Sequence, residues 1–354
     1  MAYPTVVMDS RVSRALLPID SSWSTPQILD ALLAALKGEG PALSTSQTEF
    51  HEVNSDIALV VSTSGSTGAA KNVALTAASL LASAKASHKY IGTKVGERWS
   101  LLLPITHVAG INVLMRSIEL GTTPVGVEAN ADFTAIVPTQ LYRALNGDEI
   151  LSSHLKSCKK VLVGGGPLSS ELRSGAEKVG IQVVETYGST ETCGGVVYDG
   201  TPIDGVEIKI VEGRIAIKGP QLALCYLEQG QIASDGWFIT SDLGEIRDGK
   251  LKVLGRADDQ IISGGEKISL SAVDSFLQDE FASLEIVSFS KNDVEWGEKL
   301  CIATTKEIPA NLISVKLKER FGSHASPKEI LKVNEIPYLS IGKPDRKRLA
   351  NDNS

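Results

Sequence analysis

The feature that most constrains this chain is a stretch of small and hydroxyl residues, positions 62–72, between an apolar segment and an alanine-rich one. The apolar segment, residues 57–61, is short and β-branched, which predicts a buried strand. From Thr76 the sequence predicts a helix with Thr76 as its N-cap. A strand followed by backbone N–H groups, hydroxyls and a lysine favours anion binding, most often of phosphate. We therefore predict a phosphate-binding loop formed by Ser62, Thr63, Ser64, Gly65, Ser66, Thr67, Gly68 and Lys71.

The spacing within this stretch excludes the P-loop, the most obvious assignment. A P-loop has four residues between its glycines and then Gly-Lys followed by Ser or Thr. Here Gly65 and Gly68 are three positions apart, Lys71 follows Ala70, and Asn72 stands where the magnesium-binding hydroxyl belongs. Taken alone, the stretch leaves open a flexible glycine- and serine-rich loop without a ligand.

Composition bounds the class of protein. A length of 354 residues suits two domains of unequal size, and 42% apolar with 22% charged residues is typical of a soluble globular protein. The net charge of −7 argues against nucleic-acid binding. The sequence contains no apolar run of the roughly 20 residues that a membrane helix needs, and no secretory start. Four dispersed cysteines predict reduced thiols, so we expect a cytoplasmic protein without membrane insertion.

The middle of the chain alternates short strand-like and helix-like segments, which predicts a mainly parallel sheet covered by helices. One predicted strand, residues 161–163, runs into Gly164, Gly165 and Gly166. Open α/β sheets bind nucleotides at the carboxyl ends of their strands, where glycines let a flat ligand approach the backbone. A second predicted strand, residues 101–103, is stopped by Pro104 and precedes a predicted helix over residues 108–120.

Residues 187–191 read Tyr-Gly-Ser-Thr-Glu and resemble the Tyr-Gly-x-Thr-Glu motif of the adenylate-forming superfamily, which comprises acyl-CoA synthetases, adenylation domains and luciferases. The stretch at 62–72 resembles the phosphate loop of the same superfamily, although Ala70 stands where proline is usual. At least five such motifs occur in family order between Ser62 and Lys343. The resemblance therefore covers nearly the whole functional chain.

The resemblance implies a role for each residue of the 187–191 motif. Tyr187 can stack on adenine, and Gly188 allows close approach. Thr190 can hydrogen-bond the α-phosphate of ATP, and Glu191 offers an oxygen ligand to Mg²⁺. The nucleotide-binding residues implied here and at the glycine turn are Gly164, Gly165, Gly166, Glu185, Thr186, Tyr187 and Gly188.

Further along, residues from Gly200 to Leu254 predict a small β-rich subdomain. By resemblance, Asp242 binds the ribose hydroxyls and Arg256 reaches the nucleotide. Asp258 is the implied hinge at which a small mobile domain begins. The implied fold is an α/β protein with a large N-terminal domain, residues 1–257, of sheets sandwiched by helices with the β-rich subdomain, and a small mobile α+β C-terminal domain, residues 258–354.

The C-terminal part carries two further implied elements. Gly264 and Gly265 lie at the tip of a predicted hairpin, which would line the path of a thiol. Lys343 ends a Pro-x-x-x-x-Gly-Lys pattern and is the implied catalytic lysine of adenylate formation. The implied catalytic set is Lys343, His107, Thr190 and Glu191, with Glu191 as the metal ligand and His107 as a pocket residue rather than a base.

The resemblance implies that four residues bind the carboxylic acid substrate. A histidine at a strand-to-helix junction is usually a capping or packing group, but His107 occupies the family position that walls the carboxylate pocket. Arg116 is either a surface charge or the cation for a second carboxylate. Gly194 and Gly195 leave room for an aromatic ring.

Within the superfamily, the segments LPITHVAG, VPTQL, VGGGPL and TYGSTETCGGVVYDG resemble the o-succinylbenzoate–CoA ligases of menaquinone biosynthesis. The resemblance implies ligation of o-succinylbenzoate to coenzyme A through an acyl-adenylate, with ATP and Mg²⁺ and with release of AMP and pyrophosphate, by a monomer or homodimer. Alternatives are another acid, or transfer to a carrier protein. A P-loop ATPase and a non-catalytic nucleotide-binding scaffold are further alternatives from another class, and the missing Gly-Lys-Ser and the presence of Glu191 and Lys343 disfavour them.

Overall fold

The structure is a computed structural model that describes residues 13–64, 70–281, 284–338 and 344–351. Within these ranges the chain forms four β-sheets, with strands and helices numbered here in chain order. No helix of the described part is long and apolar enough to cross a membrane.

The first sheet is mixed and contains the strands around the small-residue stretch. Strands β1 and β2 and strands β2 and β4 pair in parallel, whereas β4 and β5 pair antiparallel. Two short strands from much later in the chain complete the edge beside β5. The strands are β1 (Ser13–Pro18), β2 (Ala42–Ser44), β3 (Glu52–Asn54), β4 (Ile57–Ser64), β5 (Ala70–Thr76), β14 (Cys225–Tyr226) and β15 (Gly230–Gln231).

The small-residue stretch departs from the predicted strand–loop–helix order. Strand β4 continues three residues past Val61, and a second strand, residues 70–76, begins inside the predicted loop of residues 62–72. Val73 and Leu75 of this second strand are buried on the sheet. The predicted N-cap is confirmed, since the Thr76 hydroxyl accepts a hydrogen bond from the Ser79 amide at 3.0 Å.

The second sheet confirms the prediction of a mainly parallel sheet. Strands β6 to β9 are parallel, and two antiparallel strands follow. The predicted strand at 101–103 is wrong: the strand ends at Ser100, and the Leu101 amide bonds the Val125 carbonyl in a connecting segment. The strands are β6 (Trp99–Ser100), β7 (Phe133–Ile136), β8 (Lys160–Val163), β9 (Val183–Ser189), β10 (Gly194–Tyr198) and β11 (Thr201–Pro202).

Helices cover these sheets, and two of them pack between the sheets. The buried residues Leu80 and Leu114 contact the first sheet, whereas Ala86 and Val113 of the same two helices join the core of the second. The helices are α1 (Thr25–Lys37), α2 (Ala77–Ile91), α3 (Val108–Glu119), α4 (Pro138–Leu145), α5 (Glu149–Ser157) and α6 (Ser170–Lys178).

The remaining two sheets are smaller. Most of the predicted β-rich segment forms an antiparallel sheet of β12 (Glu207–Val211), β13 (Arg214–Lys218), β16 (Phe238–Arg247) and β17 (Lys250–Arg256). Three short strands of the same segment, β11, β14 and β15, pair instead with the first two sheets. After a 3₁₀ turn, Ala257–Asp259, comes the C-terminal sheet with its own buried core. Its elements are β18 (Gln260–Ser263), β19 (Glu266–Ser269), α7 (Leu270–Glu280), β20 (Ile286–Asp293), β21 (Gly297–Thr304), α8 (Ala310–Phe321), β22 (Glu329–Lys332) and α9 (Arg346–Asn351).

The α/β fold class is thus the one predicted. The predicted domain boundary falls in the 3₁₀ turn, between residues 257 and 258, and stays a prediction.

Candidate active site

The 187–191 motif lies where strand β9 ends and a 3₁₀ turn, Thr190–Thr192, begins. Gly188 pairs with Gly195 of the neighbouring strand. A Cβ on Gly188 would lie 1.9 Å from the Gly194 carbonyl oxygen, so a side chain cannot be accommodated there. The sequence assigned Gly188 to ligand approach, but the structure gives it a packing reason within the protein.

The two glycines after the motif are also explained by packing. Gly194 has φ of 95°, and a Cβ there would lie 2.1 Å from Asn112 Nδ2. That amide donates to the Cys193 carbonyl at 2.9 Å. A Cβ on Gly195 would meet the Tyr198 ring at 2.8 Å. Room for an aromatic substrate at these glycines stays a prediction.

Strands β8 and β9 approach each other closely at the glycine turn. A Cβ on Gly164 would lie 2.3 Å from Thr186 Oγ1, which donates to the Val163 carbonyl at 3.3 Å. Gly165 has φ of 80°, a conformation that a residue with a side chain adopts only with strain. Gly165 and Gly166 are both exposed. The turn therefore leaves a small, open backbone surface at the carboxyl end of the parallel strands.

Glu185 lies beside this turn and takes part in a charged cluster. Arg173 Nη1 is 2.9 Å from Asp199 Oδ1 and 3.8 Å from Glu185 Oε2. Burial raises the pKa of Glu185 despite the nearby arginine. These contacts give Glu185 a structural partner that the sequence did not indicate.

Tyr187, Asp242 and Arg256 meet in the structure. The Tyr187 hydroxyl donates to Asp242 Oδ2 at 2.8 Å, and Arg256 Nη1 lies 3.9 Å from Asp242 Oδ1. Asp242 and Arg256 are direct partners across strands β16 and β17. Burial, followed by the Asp242 charge, raises the pKa of Tyr187, so it remains a neutral hydrogen-bond donor. These three residues, which the sequence predicted to bind the nucleotide, therefore lie together although they come from two different sheets.

Glu191 has a partner that sequence reasoning missed. The Tyr226 hydroxyl donates to Glu191 Oε1 at 2.8 Å, and the Ala223 amide donates to the Glu191 carbonyl. Lys71 Nζ lies 5.0 Å from the centroid of the Tyr226 ring. Tyr226 therefore links the predicted metal ligand to the predicted phosphate-binding lysine.

The first hydroxyls of the predicted phosphate loop are engaged within the protein. Ser62 Oγ donates to Asn72 Oδ1 at 2.6 Å, and Thr63 Oγ1 donates to the Lys71 carbonyl at 3.3 Å. Glu228 in turn accepts from the Asn72 side chain at 2.6 Å. Of the remaining loop residues, Ser64 is described in its backbone only, and Gly65, Ser66, Thr67 and Gly68 lie outside the described residues.

His107 and Arg116 belong to the same helical element. His107 is the N-cap residue of α3 and is half-buried, and burial lowers its pKa. Arg116 is 4% exposed, which excludes a surface charge. Its Nη2 donates to the Tyr198 hydroxyl at 3.2 Å, its guanidinium stacks on Trp99 at 4.8 Å, and its buried Nε has no hydrogen-bond partner in the described structure.

In the C-terminal part, the predicted glycine hairpin forms between strands β18 and β19. Gly264 and Gly265 have φ of 59° and 86°. A Cβ on Gly264 would lie 2.9 Å from the Trp296 ring. Asp258 lies in the 3₁₀ turn with its side chain undescribed, and Lys343 lies outside the described residues.

The donor set at Glu191 suits magnesium that arrives with a nucleotide. Within the described ranges no group of three or more His, Cys, Asp or Glu residues could hold a metal ion. Magnesium in nucleotide enzymes is commonly bound by one or two carboxylates plus substrate phosphates, not by an all-protein cage. One carboxylate oriented by a tyrosine hydroxyl fits that mode of binding.

The class of protein follows from a direct match. Residues 6–227 match the family described as AMP-binding enzyme, so this chain belongs to that family and the predicted resemblance is confirmed.

Individual relatives and solved structures indicate which members of the family this chain is similar to. The chain is 35% identical to a probable 2-succinylbenzoate–CoA ligase from Mycobacterium tuberculosis, over 94% of this chain and 97% of that protein. Among solved structures, o-succinylbenzoate coenzyme A synthetase from Bacillus subtilis in complex with its acyl-adenylate intermediate is 25% identical. It superposes with a TM-score of 0.72 over 95% of this chain and 82% of that chain. The same enzyme with ATP and magnesium ion gives 25% identity and a TM-score of 0.72 over 94% and 83%.

Proposed function

We propose that this protein is an AMP-forming acid–thiol ligase that joins o-succinylbenzoate to coenzyme A. The observation that carries the proposal is the position of the 187–191 segment. On one side its Tyr187 donates to the predicted ribose ligand Asp242, and on the other its Glu191 is joined through Tyr226 to Lys71. One segment thus connects a site for a diol with sites for a metal and for phosphates. The named activity of the relatives supports the choice of acid.

The chemistry requires activation of a carboxylate, which is a poor acyl donor because its leaving group would be an oxide. Attack on the α-phosphate of ATP forms an acyl-adenylate and expels pyrophosphate, after which the thiol of coenzyme A displaces AMP. Both partners in the first step are anionic, so charge neutralisation and alignment dominate catalysis. Magnesium, when bound, neutralises charge on the phosphate oxygens.

The described residues take complementary roles in this proposal. Asp242 offers two acceptor oxygens to the ribose diol, and Tyr187 holds its carboxylate in place. Glu191 would hold the magnesium ion, and Thr190 and Lys71 would contact phosphate. Lys343 supplies the cation between the carboxylate and the α-phosphate, as the sequence motif implies.

No protein nucleophile is needed, and the cysteines agree with that. Burial raises the pKa of both Cys158 and Cys193 to about 12. A thiol with so high a pKa carries almost no thiolate at neutral pH and is a poor nucleophile. In the proposed reaction, the sulfur that attacks the adenylate is that of coenzyme A.

Arg116 is the proposed partner of the second carboxylate of o-succinylbenzoate. It is a buried cation with an unpartnered Nε, so it retains capacity to donate a hydrogen bond. His107 and the glycines Gly194 and Gly195 are proposed to line the same acid pocket.

We further propose a monomeric or homodimeric protein in the cytoplasm, where ATP and coenzyme A are available.

A panel of acids tests the function. Pyrophosphate release is measured with o-succinylbenzoate, benzoate and octanoate, each with and without coenzyme A. We expect o-succinylbenzoate to give the highest kcat/KM and thioester to form only with coenzyme A. A higher kcat/KM for benzoate or octanoate would contradict the choice of acid, and adenylate formation without thioester would favour transfer to a carrier protein.

A further inference from the structure

Tyr226 contacts two oppositely charged residues with different parts of one side chain. Its hydroxyl donates to Glu191 Oε1 at 2.8 Å, and its ring lies 5.0 Å from Lys71 Nζ. Its backbone pairs with Val73 of strand β5, two residues beyond Lys71. The tyrosine is therefore fixed by the sheet that carries the lysine, while its hydroxyl reaches the turn that carries the carboxylate.

The hydroxyl contact bears on metal binding. Magnesium demands near-ideal octahedral geometry, so a carboxylate ligand must present its oxygens in one orientation. Hydrogen-bonding partners behind a ligand supply that orientation, and their loss typically weakens metal affinity or activity 10- to 100-fold. A donor on one oxygen of Glu191 restrains the rotation of the carboxylate about its last bond.

The ring contact bears on the lysine. An ammonium near an aromatic ring is attracted by the quadrupole of the ring. The ring holds Lys71 without neutralising it, whereas a carboxylate partner would form an ion pair and compete with phosphate. The same side chain thus places a cation for phosphate and an anion for the metal.

We propose that Tyr226 is a positioning residue for magnesium–ATP, which orients Glu191 through its hydroxyl and Lys71 through its ring. This rests on the proposed function, because adenylate formation is the step that uses magnesium–ATP. The two contacts are separable: Y226F removes the hydroxyl and keeps the ring, and Y226L removes both. Y142F is the matched control, since Tyr142 is an exposed tyrosine on helix α4 outside the site.

The first readout is binding, without turnover. Manganese, as a paramagnetic substitute for magnesium, is titrated in the presence of α,β-methylene-ATP and followed by electron paramagnetic resonance. We expect Y226F to raise the manganese Kd by about 10-fold or more, with metal-free AMP binding unchanged by calorimetry. Y226L should in addition weaken binding of the nucleotide triphosphate, and Y142F should match the wild type.

The second readout separates the half-reactions. Y226F should need more magnesium for half-maximal pyrophosphate release, yet convert supplied acyl-adenylate and coenzyme A to thioester at the wild-type rate. An unchanged manganese Kd in Y226F would overturn the proposal, as would an equal loss of metal-free AMP binding. A wild-type protein that binds manganese–nucleotide but activates no acid would refute the proposed function and leave the positioning role standing. Failure of the wild type to bind manganese–nucleotide would refute both.

Discussion

Arg346 Nη1 lies 2.8 Å from each carboxylate oxygen of Asp259, so the last described helix is joined to the turn at the predicted domain boundary. The same guanidinium contacts Asp274 of α7 and donates to the Ser288 carbonyl at 2.9 Å. Asp274 is buried, and burial raises its pKa although the Arg346 charge opposes this. One arginine thus ties helix α9 to three other elements of the C-terminal part, namely the 3₁₀ turn, helix α7 and strand β20.

Substitution of this arginine should loosen the C-terminal part. In Arg346→Met, two carboxylates lose their partner, and breaking a buried ion pair costs about 3 kcal/mol. We expect hydrogen exchange of helix α7 to accelerate and the free energy of unfolding to fall by a similar amount. Lys347→Met, an exposed neighbour on the same helix, is the control. Equal protection of α7 in both variants would show that the ion pairs contribute little.

The position of the hinge is the next prediction. Arg256 is held in strand β17 opposite Asp242, and Asp259 is held by Arg346, so residues 257 and 258 are left to absorb a rotation. A few dihedral angles at the end of an element can do so. Asp258→Pro should therefore impair thioester formation more than adenylate formation, measured as separate half-reactions. A uniform loss of both steps, or none, would place the hinge elsewhere.

Lys343 should serve the first half-reaction. A preorganised cation where negative charge develops is worth about 10²–10³ in rate. Lys343→Ala should lose that factor in adenylate formation and still convert supplied acyl-adenylate and coenzyme A to thioester. Normal adenylate formation in this variant would indicate that Lys343 is a surface lysine without a catalytic role. Loss of both steps would indicate misfolding or a role shared by both half-reactions.

The glycine of the adenylate motif should be intolerant of any side chain. In Gly188→Ala the new Cβ would fall 1.9 Å from the Gly194 carbonyl oxygen, so strands β9 and β10 must separate. We expect a loss of stability of roughly 3 kcal/mol or more, typical of severe overpacking. Gly166→Ala is the control, because its nearest neighbour would be 3.9 Å away. Thermal unfolding of both variants tests this, and similar Tm values would contradict it.

Acid should destabilise the fold through its buried histidines. His154 is buried with Nε2 2.8 Å from Ser100 Oγ, and burial lowers its pKa below the unfolded value of about 6.5. The unfolded chain therefore binds protons first, so this contribution is complete above about pH 6.5 and is lost as the pH falls towards the folded pKa. The slope reaches at most about 1.4 kcal/mol per pH unit for one group.

Urea unfolding between about pH 7 and about pH 5 measures that effect. His154→Gln should lose less stability over this range than the wild type. His88 and His107 also have pKa values lowered by burial, so part of the slope should persist. An identical slope in His154→Gln would contradict the prediction.

The elements that the sequence predicted well are set by local chemistry. Helix α2 begins directly after Thr76, the predicted N-cap, whose hydroxyl accepts a hydrogen bond from the Ser79 amide. Strand β5 was missed because Gly, Ala and Ser dominate the segment before it and hide the short alternation around Val73. Whether such a segment becomes strand or loop depends on a neighbouring strand, here β4 and the distant β14.

The contacts of the candidate site were harder to predict than its residues. Motifs identified Glu191 and Asp242, but nothing local to either one indicates Tyr226 or Tyr187 as its partner. Both pairs span tens of positions, 35 and 55, and close only when separate sheets meet. Arg116 shows the same limit, because its burial depends on Trp99 and Tyr198, which come from two other strands.

The late pairing of strand β14 with β5 has a consequence for dissecting this protein into pieces. A fragment that stops before Cys225 would leave the Ala70–Thr76 strand with an uncovered row of N–H and C=O groups. Such an edge is a template for pairing with another copy of the fragment. The strand also carries Lys71, so the truncated piece would tend to aggregate through the segment that is proposed to bind phosphate. In the full chain, Cys225 and Tyr226 cover the middle of this strand by pairing with Ala74 and Val73.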